Sequence, residues 1–179
     1  MRRDEDMIEK IEDHVNAIMD ILELDRNKSN EGTPKRIGKM LVTELFQNRN
    51  NQNIEELDSK MKVFPAESKD LVKIEVPLMT VCDHHWLPFV GDVTVTYIPR
   101  ENIIGLSKIP RVVKYFSKKP QLQELITTEI KDYLVKHIQP EYLRVDIKAT
   151  HMCVEMRGVE SPCITYTTSE YSYGDEIDD

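Results

Sequence analysis

The stretch "CDHHWLPFVGDVTVTYIP", residues 82–99, places a thiol and two adjacent imidazoles directly before an alternating apolar run. Val93, Val95 and Tyr97 alternate with polar residues, which is typical of a β-strand that buries one face. The preceding stretch "KIEVPLMTV", residues 73–81, also has the composition of a strand. The thiol and the imidazoles are therefore predicted to lie at the end of a strand.

Outside these strands the apolar residues follow a helical period. The spacing predicts an amphipathic helix over 7–24 and a second helix over 33–46, in which Thr33 can cap and Pro34 suits the first turn. The further predicted elements are helices 107–118 and 120–137 and strands 142–152 and 163–169. The predicted order is two helices followed by ββααββ, which indicates an α+β fold.

The length and composition limit the number of domains and the kinds of partner. A chain of 179 residues with 40% hydrophobic residues can build one sizeable core, with a helical appendage. No stretch approaches 18 consecutive apolar residues and no apolar signal segment follows the N-terminus, so we expect a cytoplasmic protein without a membrane partner. The net charge of −8 argues against nucleic acid, although a local cation cluster can still bind a small anion.

Two pairs of candidate metal ligands lie at two predicted strand ends. Cys82 and His85 form a C-x-x-H pair, and His151 and Cys153 follow about 70 residues later. If the two strands are neighbours, two thiolates and an imidazole meet, which suits Zn²⁺ and leaves a fourth position for water. The spacing alone does not decide whether His84 or His85 is the ligand, and a buried small thiol is the alternative to a metal site.

A second group of residues is suited to binding a nucleotide. Ser107, Lys108 and Arg111 lie in the first turn of a predicted helix, where free amides and the helix dipole attract phosphate. Gln123 and Glu124 supply an amide and a carboxylate that can pair with the edge of a purine. Further cations are Arg36, Lys39 and Arg157. Each of these residues taken alone is more often part of a solvated surface.

Several quoted segments together resemble the GTP cyclohydrolase I family. They are "EGTPKRIGKM", "CDHHWLPFVGDVTVTYIP", "IIGLSKIPRVVKYFSKKPQLQE", "HMCVEMRGV" and "TYTTS", and the resemblance covers residues 7 to 169. It implies an enzyme that converts GTP into 7,8-dihydroneopterin triphosphate and formate, the first step of pterin, folate or 7-deazaguanine biosynthesis. It also implies the tunnelling fold, an antiparallel four-stranded sheet with two helices on one face, assembled as a decamer of two pentameric rings with active sites between subunits.

The resemblance also implies roles for individual residues. It makes Cys82, His85 and Cys153 the zinc ligands, and it makes His84 and His151 the proton-transfer residues. The remaining implied roles are Ser107 near the ribose, Gln123 and Glu124 at the guanine, and Arg36, Lys39, Lys108, Arg111 and Arg157 at the triphosphate. We accordingly divide the chain into an N-terminal helical segment (1–70), a tunnelling-fold catalytic unit (71–169) and an acidic tail (170–179).

Two features bear on how far the resemblance extends. Leu125 stands where many relatives have arginine, and the chain ends ten residues after Ser169, as expected for a compact form such as a viral or minimised version. A catalytically silent relative that binds guanine nucleotides or pterins is one alternative function. A zinc-stabilised structural protein is another, and Cys163 is its candidate fourth ligand, because structural zinc sites usually have four protein ligands.

Overall fold

The computed structural model describes residues 2–175 and contains six α-helices and seven strands in that range. The helices are α1 (Arg2–Ile21), α2 (Thr33–Met40), α3 (Ile54–Lys60), α4 (Lys108–Phe116), α5 (Gln123–Ile138) and α6 (Met152–Glu155). The strands are β1 (Val63–Pro65), β2 (Val72–Cys82), β3 (Pro88–Ile98), β4 (Asn102–Ile104), β5 (Pro120–Gln121), β6 (Tyr142–His151) and β7 (Ile164–Ser172). Within 2–175, no helix is both long enough and apolar enough to span a bilayer.

The first two helices pack against each other at a glycine. A Cβ atom on Gly38 would lie 2.8 Å from the carbonyl oxygen of Ile8, so only glycine allows this close approach of α2 to α1. Helix α2 begins at Thr33 itself, and the capping residue is Gly32 rather than the predicted Thr33. The hydroxyl of Thr33 instead accepts a hydrogen bond from Arg36 at 2.8 Å. A π-helical turn, Leu41–Leu45, continues α2.

The main sheet has the strand order β5-β2-β3-β6-β7. Strands β2, β3, β6 and β7 pair antiparallel, and the two-residue strand β5 pairs parallel to the end of β2. The predicted α+β class is confirmed. From Val72 onward the long elements run strand, strand, helix, helix, strand, strand, but β4 precedes α4 and β5 separates α4 from α5.

The hydrophobic core lies between this sheet and helices α4 and α5. Helix α4 packs on β2, and α5 packs on β6 and β7. The large side chains with less than 2% exposure include Tyr97, Phe89, Ile109, Ile126, Leu134 and Leu143. The opposite face of the sheet is polar and carries Glu75, Asp92, Arg144, Asp146 and Lys148. The alternation of the strands thus places both helices on one face.

Several short elements and element boundaries differ from the sequence predictions. Helix α3 and the two-stranded sheet of β1 and β4 lie in segments for which the sequence predicted no helix or strand. The helix predicted over 120–137 begins only at Gln123, because Pro120 and Gln121 pair with Val81 and Cys82. The predicted catalytic unit ended at residue 169, but β7 continues to Ser172. Of the predicted acidic tail, residues 176–179 lie outside the described residues.

Gly91 provides a test of the pairing between β3 and β6. A Cβ atom at this position would lie 1.9 Å from the carbonyl oxygen of Lys148 and 2.6 Å from the Cα of Ala149, both backbone atoms of β6. We expect Gly91→Ala to lower the free energy of unfolding by about 3 kcal/mol, the upper part of the usual overpacking range. Urea unfolding followed by circular dichroism measures this change.

Gly105→Ala is the matched control. A Cβ atom at Gly105 would meet its nearest neighbour, Phe64, at an ordinary contact distance of 3.5 Å. We expect the control to leave the free energy of unfolding unchanged or to raise it by about 0.4–1 kcal/mol. Equal stability of the two variants would contradict the close pairing of β3 with β6.

Candidate metal centre and active site

Cys82 is the last residue of β2 and is buried, with 2% of its surface exposed. A tight loop follows it: the amide of Trp86 donates to the carbonyl oxygen of Cys82, and the amide of Cys82 donates to that of Leu87, both at 2.9 Å. Trp86 closes the loop with a left-handed backbone (φ 54°), which is uncommon for a residue other than glycine. The loop thus holds the thiol inside and leaves His84 and His85 exposed.

His151 and Cys153 reach the same place from the end of β6. Phe89 of β3 pairs with His151, so the ends of β2 and β6 lie on either side of β3. The ligand atoms of Cys82, His151 and Cys153 all lie within 4.8 Å of one another, and this is the one such group found among residues 2–175. Two sulfur atoms and one nitrogen are a donor set that suits a metal ion with an open fourth position.

The electrostatic state of Cys153 depends on its neighbours. Burial, together with the adjacent thiol of Cys82, raises the pKa of Cys153 above that of an ordinary thiol. A metal ion must displace this proton, because the thiolate is the ligand, so metal binding weakens as the pH falls. The same two thiols that repel each other as anions would be joined by a divalent cation.

The two loop histidines have different surroundings. Nδ1 of His84 lies 3.8 Å from Sγ of Cys82. Nε2 of His85 lies 3.0 Å from Nη1 of Arg157, which donates a hydrogen bond to it, and His85 is not in the group of close ligand atoms. The structure therefore brings His151 to the two thiols, whereas the resemblance assigns that place to His85.

The His151 ring is held on two sides. It stacks on the ring of Phe89, with centroids 4.5 Å apart and planes 9° apart. Its Nε2 lies 2.7 Å from Oε1 of Gln123. Burial lowers the pKa of His151 below its usual value, and the charge of Glu124 opposes this shift. The lowered pKa favours the neutral imidazole, and the contacts with Phe89 and Gln123 fix the position of the ring.

Gln123 and Glu124 are neighbours in sequence but face different environments. Gln123 is 3% exposed, and its amide also hydrogen-bonds to Ile147, Thr165 and Thr167. Glu124 is exposed at the start of α5. The structure therefore leaves the Glu124 carboxylate free to meet a ligand, while the Gln123 amide is occupied by the protein itself.

The predicted phosphate-binding cations lie on three separate elements. Ser107 occupies the N-cap position of α4 without a side-chain capping hydrogen bond and is exposed, and Lys108 follows it in the first turn. Arg111 lines a cleft of about 210 Å³ between α3 and α4, together with Lys60, Lys114 and Lys118. Arg36 and Lys39 lie on α2, and Arg157 lies in the loop after α6. The single chain thus does not gather all these cations around the thiols.

Sequence reasoning missed the residues that support the site. Phe89, which stacks on His151, was treated only as part of an apolar run, although the strand register places it opposite His151. Thr165 and Thr167 were part of a β-prone segment with no assigned role. Trp86 contacts Phe46 edge to face at 5.3 Å and so ties the loop after Cys82 to the N-terminal helical segment. No local pattern indicated that contact.

Comparisons of the sequence with a family profile and with curated proteins agree on one family. The family profile described as GTP cyclohydrolase I matches residues 11–177. A protein named GTP cyclohydrolase 1 from Vibrio vulnificus (strain YJ016) is 41% identical over 170 residues, covering 92% of this chain and 76% of its own. Its namesake from Finegoldia magna (strain ATCC 29328) is 37% identical over 164 residues, covering 90% and 86%.

A solved structure also matches part of the chain. It is the apo form of the archaeosine synthase QueF-Like, with a TM-score of 0.48 and 18% sequence identity. The match covers 62% of this chain and 100% of the other.

Cys153 and Cys163 provide a matched pair of substitutions for the metal centre. Both thiols are free and half-buried, but only Cys153 belongs to the group of close ligand atoms. We expect Cys153→Ser to lose most of its bound divalent metal, because a hydroxyl is a much poorer ligand than a thiolate, and Cys163→Ser to keep it. Elemental analysis of the purified variants measures the metal content. Full occupancy in Cys153→Ser, or loss in Cys163→Ser, would contradict this assignment.

Proposed function

The chain belongs to the GTP cyclohydrolase I family, and we propose on this premise that it converts GTP and water into 7,8-dihydroneopterin triphosphate and formate. The observation that carries this proposal is the meeting of Cys82, His151 and Cys153 within 4.8 Å, with the exposed carboxylate of Glu124 on the helix that contacts His151. This arrangement joins a metal-ligand set, a proton-transfer group and a charged acceptor for a base. The same reaction can serve pterin, folate or 7-deazaguanine biosynthesis.

We propose that the catalytic unit has the tunnelling fold. The supporting observation is the antiparallel group of β2, β3, β6 and β7 with α4 and α5 on one face. The outer edge of β7 pairs with no other strand among residues 2–175. An exposed strand edge is suited to pairing with another chain, so this edge supports assembly into rings.

We propose that the metal is zinc, held by Cys82, Cys153 and His85. The thiolate pair suits zinc, and His85 lies on an exposed loop where its contact with Arg157 can be exchanged for another partner. His151, in contrast, is held by Phe89 and Gln123, which suits a group that must stay in place during proton transfer. When bound, zinc would supply a nucleophilic water at neutral pH, because it lowers the pKa of water from about 15.7 to about 7.

The histidines of this site would carry the proton transfers. His84, exposed on the loop after Cys82, would protonate N7 of the purine as water attacks C8 and the imidazole ring opens. A second water would then hydrolyse the resulting formamide, which releases C8 as formate and leaves two free amines. Opening of the ribose, an Amadori-type rearrangement and ring closure follow, and His151 with Ser107 would move protons during these steps.

Recognition of guanine would rest on the Glu124 carboxylate. A carboxylate accepts the N1 and 2-amino hydrogens of guanine, whereas adenine has neither donor and would leave the charge unpaired. Leu125 is exposed beside Glu124 and supplies no charge in place of the arginine that many relatives have. The base-binding carboxylate would therefore act without help from an adjacent cation in this chain.

The triphosphate would be bound by cations on separate elements. Lys108 and Arg111 lie on α4, and Arg157 lies next to His85. Arg36 and Lys39 lie on α2, and we propose that they reach the site of a neighbouring subunit. The proposed assembly is a homo-oligomer, a decamer of two pentameric rings. A reducing compartment such as the cytoplasm would keep the Cys82 and Cys153 thiols available for the metal.

Incubation of the zinc-loaded protein with GTP tests the proposed reaction. We expect release of formate together with a pterin that becomes fluorescent on oxidation, and no such release from ATP. Glu124→Gln should lower kcat/KM for GTP about 10- to 100-fold, because a hydrogen bond to a charged acceptor is lost while the metal ligands remain. Glu141→Gln, at an exposed carboxylate before β6, is the control and should leave kcat/KM unchanged.

Two outcomes would each contradict one part of this proposal, the reaction or the role of Glu124. Binding of GTP without formate release would make the chain a catalytically silent relative. An unchanged preference for GTP over ATP in Glu124→Gln would remove Glu124 from base recognition while leaving the reaction itself in place.

Parallel substitution of the two candidate imidazole ligands decides between them. We expect His85→Ala to lose zinc and His151→Ala to keep zinc but to lose at least about 10²-fold in kcat, the usual scale for one acid–base group. Zinc content by elemental analysis and single-turnover kinetics measure the two effects. Retention of zinc by His85→Ala with loss by His151→Ala would make His151 the ligand, as the proximity of the three side chains suggests.

A further inference from the structure

The buried amide of Gln123, at the start of α5, joins His151 to strands β6 and β7. Its Nε2 lies 3.1 Å from the carbonyl oxygen of Ile147, 3.2 Å from the hydroxyl of Thr167 and 3.4 Å from the carbonyl oxygen of Thr165, so its two hydrogens are shared among three acceptors. A carbonyl oxygen can only accept, so the NH₂ group must face β6 and β7. These partners therefore determine which end of the amide is the nitrogen.

This orientation determines what the other end of the amide can do. Oε1 of Gln123 accepts a hydrogen bond from the Thr165 hydroxyl at 2.6 Å and lies 2.7 Å from Nε2 of His151. An amide oxygen cannot donate, so the hydrogen atom between them belongs to Nε2 of His151. In the neutral imidazole one nitrogen carries a hydrogen and the other a lone pair, so the lone pair is on Nδ1.

We infer that Gln123 is a positioning residue that fixes the Nε2–H form of His151 and directs the lone pair of Nδ1 to the reacting groups, rather than a residue that reads guanine. The inference rests on the proposed function for the identity of those reacting groups. The ring of His151 stacks on Phe89 and has little freedom to turn over. The hydrogen bond to Gln123 therefore determines which nitrogen carries the hydrogen, and the stack determines the plane of the ring.

The burial of Gln123 supports the second half of this inference. Its side chain is 3% exposed, and its two polar atoms share five hydrogen-bond contacts with the protein. A base that displaced this amide would break its buried hydrogen bonds to β6 and β7, at a cost of about 1–3 kcal/mol for each buried group left unsatisfied. Glu124 is exposed, so a base can reach its carboxylate without breaking buried hydrogen bonds. Gln123 therefore holds His151, and Glu124 is left to bind the base.

The same geometry leaves one ring nitrogen of His151 for other groups. Because Nε2–H is bonded to Gln123 and the ring is stacked on Phe89, only Nδ1 can meet the reacting groups, and no rotation of the ring is needed. Partners that orient a functional histidine through its second nitrogen typically contribute 10- to 100-fold to activity or metal affinity.

Nitrogen-15 NMR of the zinc-loaded full-length chain, labelled in its histidine rings, tests the inference directly. We expect one downfield imidazole proton that is bound to Nε2 of His151 and protected from exchange, identified by its absence in His151→Gln. Gln123→Met should remove this protected signal, because a thioether is a weak acceptor, whereas Gln123→Glu should keep it. Thr127→Val is the matched control: it removes a hydroxyl bonded to Thr167 in the same buried layer and should leave the signal in place.

Kinetics with GTP provide the second measurement. Gln123→Met should lower kcat about 10- to 100-fold with little change in KM, and Gln123→Glu should recover part of the loss. A protected proton on Nδ1, or an Nε2–H signal that survives Gln123→Met, would overturn the inference. So would a rise in KM with a lost preference for GTP over ATP, the result expected of a base reader.

The two measurements separate this inference from the proposed function. The NMR signal does not require turnover, so an inactive protein with the expected Nε2–H signal would refute the proposed reaction and not the role of Gln123. If Gln123→Met does not fold, the spectra of the unsubstituted protein and of Gln123→Glu still decide which nitrogen carries the proton.

Discussion

The pairing of β3 with β2 on one side and with β6 on the other is the constraint on which the site depends. It places Cys82 at the end of β2 beside the turn into β3, and it places His151 opposite Phe89. Because successive side chains of a strand alternate between faces, a slip of one residue would turn His151 toward the polar face and separate it from the thiols. The ten-residue ladder between β3 and β6 therefore sets the position of the ligands.

A second constraint joins the helical layer to this ladder. The start of α5 is tied to β6 and β7 through the amide of Gln123 and through Thr127, whose hydroxyl donates to the carbonyl oxygen of Gln123 at 2.6 Å. Such contacts are buried, and removing either partner leaves an unsatisfied polar group. His151 and Glu124 thus lie on rigid elements, whereas His84 and His85 lie on an exposed loop that can change partner.

Much of the fold and of the site could be predicted from the sequence. The elements and contacts that could not be predicted have a physical explanation. Regular alternation at Val93, Val95 and Tyr97 indicated a strand because one face is buried, and the structure contains that strand. Short elements such as β5 could not be predicted, because two residues have no period and Pro120 pairs only through a long-range contact. The strand-end position of the cysteines predicted their proximity, but the hydrogen bonds of Gln123 depend on a register that spacing does not reveal.

The distribution of charge supports the proposal that neighbouring subunits share a site. The chain has a net charge of −8, yet the cations suited to a triphosphate lie on α2, on α4 and in the loop after α6. The contact between Phe46 and Trp86 holds the N-terminal helical segment against the loop that carries His84 and His85. Cations on α2 are therefore fixed relative to the catalytic unit, and the proposed rings would bring them to a neighbouring site as rigid groups. On this proposal a triphosphate would meet cations whose backbone positions are already set, so less conformational freedom would remain to be lost on binding.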